Sequence, residues 1–99
     1  MSKPTPHVAA LAVSFHIPAS QSLKEKRRVL KSIKDRIRNR FNVSVSEIGD
    51  LDKWQASVIG VCVIGTDKGH LSGNLEAVLA LFNGVSEINV TDSQMEFLV

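Results

Sequence analysis

"NVSVSEIGDLDKWQASVIGVCVIG", residues 42–65, decides the fold, because it holds two extended segments back to back with only a polar turn between them. Val43 and Val45 alternate with Ser44 and Ser46, the period of two that turns one face of a strand inward and the other outward. "GDLDK" (49–53) carries the small and acidic residues that favour a turn. "WQASVIGVCVIG" (54–65) is a longer apolar run without clean alternation, so it reads as a strand buried more fully than its neighbour. The pair predicts a hairpin.

On the N-terminal side of this hairpin, His7 to Ile17 also alternate. Ala9, Leu11, Val13, Phe15 and Ile17 share one face; Val8, Ala10, Ala12, Ser14 and His16 share the other. This predicts a strand with one large-apolar face and one small or polar face, ended by Pro18. "SLKE" (22–25) fits a capping box, in which the Ser22 oxygen accepts a backbone N–H while Glu25 reaches back. A helix should start there, with Leu23, Leu30, Ile33, Ile37 and Phe41 recurring as its apolar stripe. On the C-terminal side, Thr66 or Asp67 can cap a second helix. Its buried face is Leu71, Leu75, Val78, Leu79 and Phe82, and Asn83-Gly84 is its stop. A last strand runs from about Glu87 through Ile88 and Val90 to Met95, Phe97 and Val99. The change of parity between Val90 and Met95 predicts a bulge or bend near "TDSQ".

The order β-α-β-β-α-β is that of the ferredoxin-like α+β sandwich, a four-stranded antiparallel sheet with two helices on one face. Composition agrees: the first and third strands are the most apolar, as central strands are. The second and fourth carry Ser, Glu, Asn and Asp, as edges do. At 99 residues the chain is expected to form one domain over 7–99, preceded by a loose tail over 1–6 that holds two of its three prolines.

Charge is segregated. Between Lys24 and Arg40 there are nine basic residues and two acids, a net of +7; elsewhere three basic residues face eight acids, a net of −5. At about 100° per residue, Lys24, Arg27, Arg28, Lys31, Lys34 and Arg38 fall together between roughly 40° and 160° from Leu30, while Lys26, Arg36 and Arg40 lie on the other flank. The six form a continuous i, i+3, i+4 ridge interrupted only by Asp35. Lys and Arg are also good helix formers, so the plain reading is a solvated face. Against it stand the crowding of like charges and the five arginines among the nine cations, whose guanidinium forks suit phosphate.

Other chemistries find little support. The single cysteine, Cys62, lies in an apolar run and reads as a buried, inert thiol; it cannot form an internal disulfide, and the cytoplasm is the expected compartment. "VAALAVSF" is a short apolar run preceded only by Lys3 and followed by Pro18 and a dense charged segment, which favours a buried strand over a signal-peptide core, and nothing approaches a bilayer span, so no membrane association is expected. His7, His16 and His70 lack the spacing of a metal site, Glu47, Asp50 and Asp52 read as solvated loop acids, and no cofactor is expected. "GVCVIGTDKGHLSG" lacks the Lys-Ser or Lys-Thr of a phosphate-binding P-loop. "PASQS" lacks the glycine and arginine of the phosphate loop in acylphosphatase, an enzyme of this fold and size. With no tyrosine, and with Phe15 facing the core, base stacking on the middle strands in the manner of RRM domains is not expected either.

"SLKEKR", "FNVSVSE" and "DKWQ" are the most specific pieces of a resemblance that spans about Val8 to Val99: the chain resembles the YlxP-like family of small bacterial proteins. The resemblance implies a ferredoxin-like fold and a bacterial cytoplasmic setting, since members are often encoded beside translation-initiation and ribosome-maturation factors. It implies no catalytic residues. Together the readings lead to the expectation of a non-enzymatic RNA- or ribosome-associated protein that contacts phosphates through Lys24, Arg27, Arg28, Lys31, Lys34 and Arg38. The alternative is a homo-oligomeric interaction domain pairing, as a homodimer for example, through its open sheet face or an edge strand.

Overall fold

Alternation and helical stripes become elements where they were anticipated. A computed structural model describes residues 4–99. Its elements are β1 (His7–His16), α1 (Leu23–Arg40), β2 (Ser44–Gly49), β3 (Ala56–Gly65), α2 (Lys68–Asn83) and β4 (Asn89–Phe97). Of the tail expected over 1–6, Met1–Lys3 lie outside the described residues; Pro4, Thr5 and Pro6 are exposed and outside regular secondary structure.

All strand pairs are antiparallel and the sheet order is β2-β3-β1-β4, so the two most apolar strands are central. Ala9, Leu11, Val13 and Phe15 of β1, with Ser57, Ile59, Val61 and Val63 of β3, turn to the covered face. They meet Val29, Leu30, Ile33 and Ile37 of α1 and Leu71, Leu75, Val78, Leu81 and Phe82 of α2 in one contiguous core. Phe15 and Phe82 bridge its layers with ring centroids 5.8 Å apart, each ring contributing about 2–3 kcal/mol by leaving water.

Two details differ from the sequence reading and two refine it. The third strand is not buried on both sides: Ala56, Val58, Gly60 and Cys62 are half-buried and Ile64 is exposed, because both helices lie on one face and leave every central strand an open side. Cys62 is therefore half-buried on the open face. Gly84 ends α2 at φ −91°, donating to the carbonyls of Ala80 and Leu81 at 3.1 Å, so the left-handed freedom of glycine is not used. The irregularity anticipated near "TDSQ" is a bulge at Thr91: Ser14 pairs with Asp92 and Phe15 with Val90, and the Thr91 hydroxyl donates to the Ser14 carbonyl at 3.2 Å.

Candidate nucleic-acid interface

The ridge sits on α1, so the start of that helix positions it. Ser22 is the N-cap and its hydroxyl oxygen accepts the Glu25 N–H at 3.1 Å. The Glu25 carboxylate reaches back one residue further than a standard capping box, to the Gln21 N–H. The buried stripe of α1 then turns the opposite side of the helix to solvent.

Five of the six ridge cations are exposed and Lys34 is half-buried. Lys24, Arg27 and Lys34 have no ion-pair or hydrogen-bond partner among the described residues. Arg28 lies 3.4 Å from Glu87, both largely exposed, and a pair of that kind is worth about 0–1 kcal/mol. Lys31 pairs with Asp35 at 2.8 Å one turn along the helix, and Arg38 donates to the Val45 carbonyl of edge strand β2 at 3.3 Å. The hydrogen bond from Lys31 holds the Asp35 carboxyl below its ordinary value, helped by the positive charge of Lys31, Arg38 and Lys34. A depressed carboxyl stabilises the fold above the usual carboxylate range and loses that contribution as pH falls through its folded value. At neutral pH Asp35 therefore remains charged and offsets one cation of the ridge.

Lys26 is not on a solvent flank. It is 2% exposed, the one fully buried charge of the helix. Its ammonium lies 2.8 Å from the Glu47 carboxylate and donates to the Asp50 carbonyl at 2.6 Å; the buried Ser57 hydroxyl donates to the same Glu47 oxygen at 2.7 Å. Glu47 is thus a paired residue of β2, not a solvated loop acid, and Asp50 pairs with Lys53 at 3.3 Å. The sequence held a signal for this. Lys26 lies about 40° from Leu30 toward Ile33, inside the apolar sector, where only a partnered lysine can stay.

The same network fixes the loop between β2 and β3. Asp50 adopts a left-handed backbone, φ 56°, which aspartate tolerates better than most residues. The Lys53 N–H closes a turn onto the Asp50 carbonyl at 3.1 Å. At the far end of the loop the Gln55 side-chain amide donates to the carbonyls of Pro18 and Ser20, at 3.2 and 3.0 Å, and its backbone carbonyl accepts from Ile17 at 2.9 Å. "SLKEKR", "FNVSVSE" and "DKWQ", remote in sequence, supply Lys26, Glu47 and Gln55 to one end of the sheet. Leu51 and Trp54, 63% and 54% exposed, are left at the loop surface.

The face not covered by helices carries Val8, Ala10 and Ala12 of β1, Val58, Gly60, Cys62 and Ile64 of β3, and Ile48. Ile48 lies over Gly60, where an added Cβ would come within 3.1 Å of two of its side-chain carbons. No helix among the described residues is long and apolar enough to cross a membrane.

Comparison with known proteins places this geometry. "Uncharacterized protein YlxP" of Bacillus subtilis (strain 168) is 42% identical over 76 residues, covering 77% of this chain and 83% of that protein. Among solved structures, the de novo designed protein Foldit4 superposes with a TM-score of 0.55 at 15% identity, over 93% of this chain and 97% of that one. SnoaB, a cofactor-independent oxygenase from Streptomyces nogalater, does so with a TM-score of 0.52 at 10% identity, over 94% and 92%. At such identities the two structures share the fold alone. The family model described as "Protein of unknown function (DUF503)" matches residues 8–95, nearly the whole described chain, and with the YlxP relative it establishes that the chain belongs to that family.

Proposed function

We propose that the chain is a non-enzymatic, cytoplasmic RNA- or ribosome-associated protein whose first helix lies along a phosphate backbone. The observation that carries this reading is the ridge itself. Six cations rise from one side of α1, three have no partner of their own among the described residues, and the rest of the chain is net acidic. Arg28 gives up only a weak exposed pair when a phosphate replaces Glu87, and a guanidinium meets a phosphate oxygen with two parallel N–H bonds. The acidic remainder orients the molecule, ridge first, toward a polyanion.

Filter binding to ribosomal RNA at several salt concentrations tests the reading. Five or six phosphate contacts give a slope of log K against log salt of about −4 to −5 for a duplex region. Absence of binding at low salt would remove the proposal. Asp35→Asn supplies a finer check. It frees Lys31 and removes the one acid within the ridge, so affinity rises and the slope steepens by about one contact's worth, 0.7–0.9. An unchanged slope would show that Lys31 does not reach phosphate.

A second reading rests on the uncovered sheet face, where Ile48, Ile64 and Leu98 are each more than half exposed beside Val58, Ala10 and Ala12. Its occupant is a second copy of the chain, pairing face to face as a homodimer. Light scattering at tens of micromolar distinguishes the two: a strict monomer eliminates the pairing and leaves the ridge untouched.

A further inference from the structure

Trp54 is the one large aromatic side chain that the fold holds out on a loop instead of packing. Phe15 and Phe82 are in the core, Phe41 packs against it, and Phe97 lies under Lys68 with the ammonium 5.3 Å from the ring centre. The indole of Trp54 is 54% exposed and has no hydrogen-bond or ring partner among the described residues. An apolar ring left in water on a floppy loop would be unremarkable surface, but this loop is pinned on both sides. Asp50 is held by the buried Lys26 ammonium and by Lys53, and Gln55 is held at three points against residues 17–20. Such a ring loses little conformational entropy when it meets a flat ligand.

The surroundings select the ligand. Trp54, His16, Lys53, Asp52, Gln55 and Ala56 line an open hollow of about 500 Å³, within the size range of small-ligand pockets. The hollow has an exposed imidazole and an indole among its walls, both planar π surfaces. It opens at the end of the sheet where α1 begins: Lys26 of α1 reaches Asp50, and Gln55 reaches Ser20, two residues before the N-cap. Lys24 and Arg27, the first cations of the ridge and both without partners among the described residues, belong to the same end. The ridge thus begins at the same end of the sheet as this aromatic hollow, which lies with His16 and Ala56 on the uncovered face.

We infer that Trp54 stacks an unpaired nucleobase of a single-stranded RNA segment whose flanking phosphates lie on Lys24 and Arg27. This rests on the phosphate-ridge reading and adds a base contact that backbone binding by a helix alone does not supply. Asp52 in the hollow disfavours a phosphate there and accepts an amino or imino N–H from a base edge. The contact favours single strands over duplex, because a paired base offers no free face.

The chain has one tryptophan and no tyrosine, so its intrinsic emission reports on this side chain alone. The experiment titrates the full-length protein with labelled single-stranded oligouridylate and oligoadenylate, and with a duplex of the same length, reading anisotropy and tryptophan emission together. Expected are single-strand binding with saturable quenching of Trp54 at the same midpoint, stronger for adenine, and a loss of roughly tenfold or more in single-strand affinity for Trp54→Ala. Duplex affinity stays as it was, and Trp54→Phe keeps most of the single-strand preference. Binding without quenching, together with a Trp54→Ala variant of unchanged affinity, overturns the stacking site and leaves the ridge standing. No binding to either nucleic acid overturns both. Emission that shifts with protein concentration in the absence of RNA places the indole in a self-contact and overturns the base-stacking role.

Discussion

Replacing Lys26 with methionine is expected to lower the unfolding free energy by about 3 kcal/mol and the melting temperature by roughly 15 °C, although the substitution keeps an unbranched apolar stem of similar length. The stem already lies in the core, so its packing survives. What is lost is the ammonium that neutralises Glu47 and satisfies the Asp50 carbonyl. A carboxylate that is 19% exposed cannot recover its full hydration, which puts the cost at the lower end of the range for breaking buried pairs. Glu47→Gln in the Lys26→Met background should restore about two thirds of the loss, because an amide oxygen still accepts the Ser57 hydroxyl and no charge is stranded. Urea unfolding of the four proteins of this cycle gives the coupling directly. A single Lys26→Met loss below about 0.5 kcal/mol, the size of an ordinary surface change, would show that the ion pair contributes nothing net. Hydrogen exchange adds a local readout: amides of residues 50–55 should open faster in Lys26→Met than in the parent, since the loop loses one of its anchors.

Reversing Lys24, Arg27 and Lys34 together to glutamate is expected to weaken RNA binding by at least about a hundredfold at moderate salt and to flatten the salt slope by some two to three units. These three are chosen because, among the described residues, none is ion-paired or hydrogen-bonded to another part of the molecule. Arg28 and Arg38 also touch Glu87 and Val45, so a change there mixes folding with binding. The triple variant should unfold within about 1 kcal/mol of the parent, or more stably, as like-charge crowding along the helix is relieved. Competition binding to ribosomal RNA at two salt concentrations measures the first effect and thermal unfolding the second. An unaltered affinity in a folded triple variant would mean that the ridge is solvated decoration.

The fold was legible because its cues are local. Alternation in β1 and β2, the Ser22 cap, the helical stripes and the polar composition of the edge strands each occupy a few consecutive residues. A β-α-β-β-α-β order with apolar first and third strands leaves few ways to bury those faces. The parity break in β4 was visible for the same reason. The six ridge positions were also readable, since helix geometry alone places residues three and four apart side by side.

What the chain determines by itself, then, is which elements form, which strands are central and which side of α1 carries charge, all consequences of periodicity along one element. Only the tertiary structure decided which charges are free. Lys26 left solvent because Glu47 and Asp50, the latter 24 residues away, were brought under α1 by the hairpin. Arg28 met Glu87 from beyond α2, and β3 kept an open face because both helices docked on the other. Trp54 stands exposed because Gln55 is clamped to a segment 35 to 37 residues earlier. Partners at such separations are chosen by how the layers close over one core, and no window of consecutive residues contains that information.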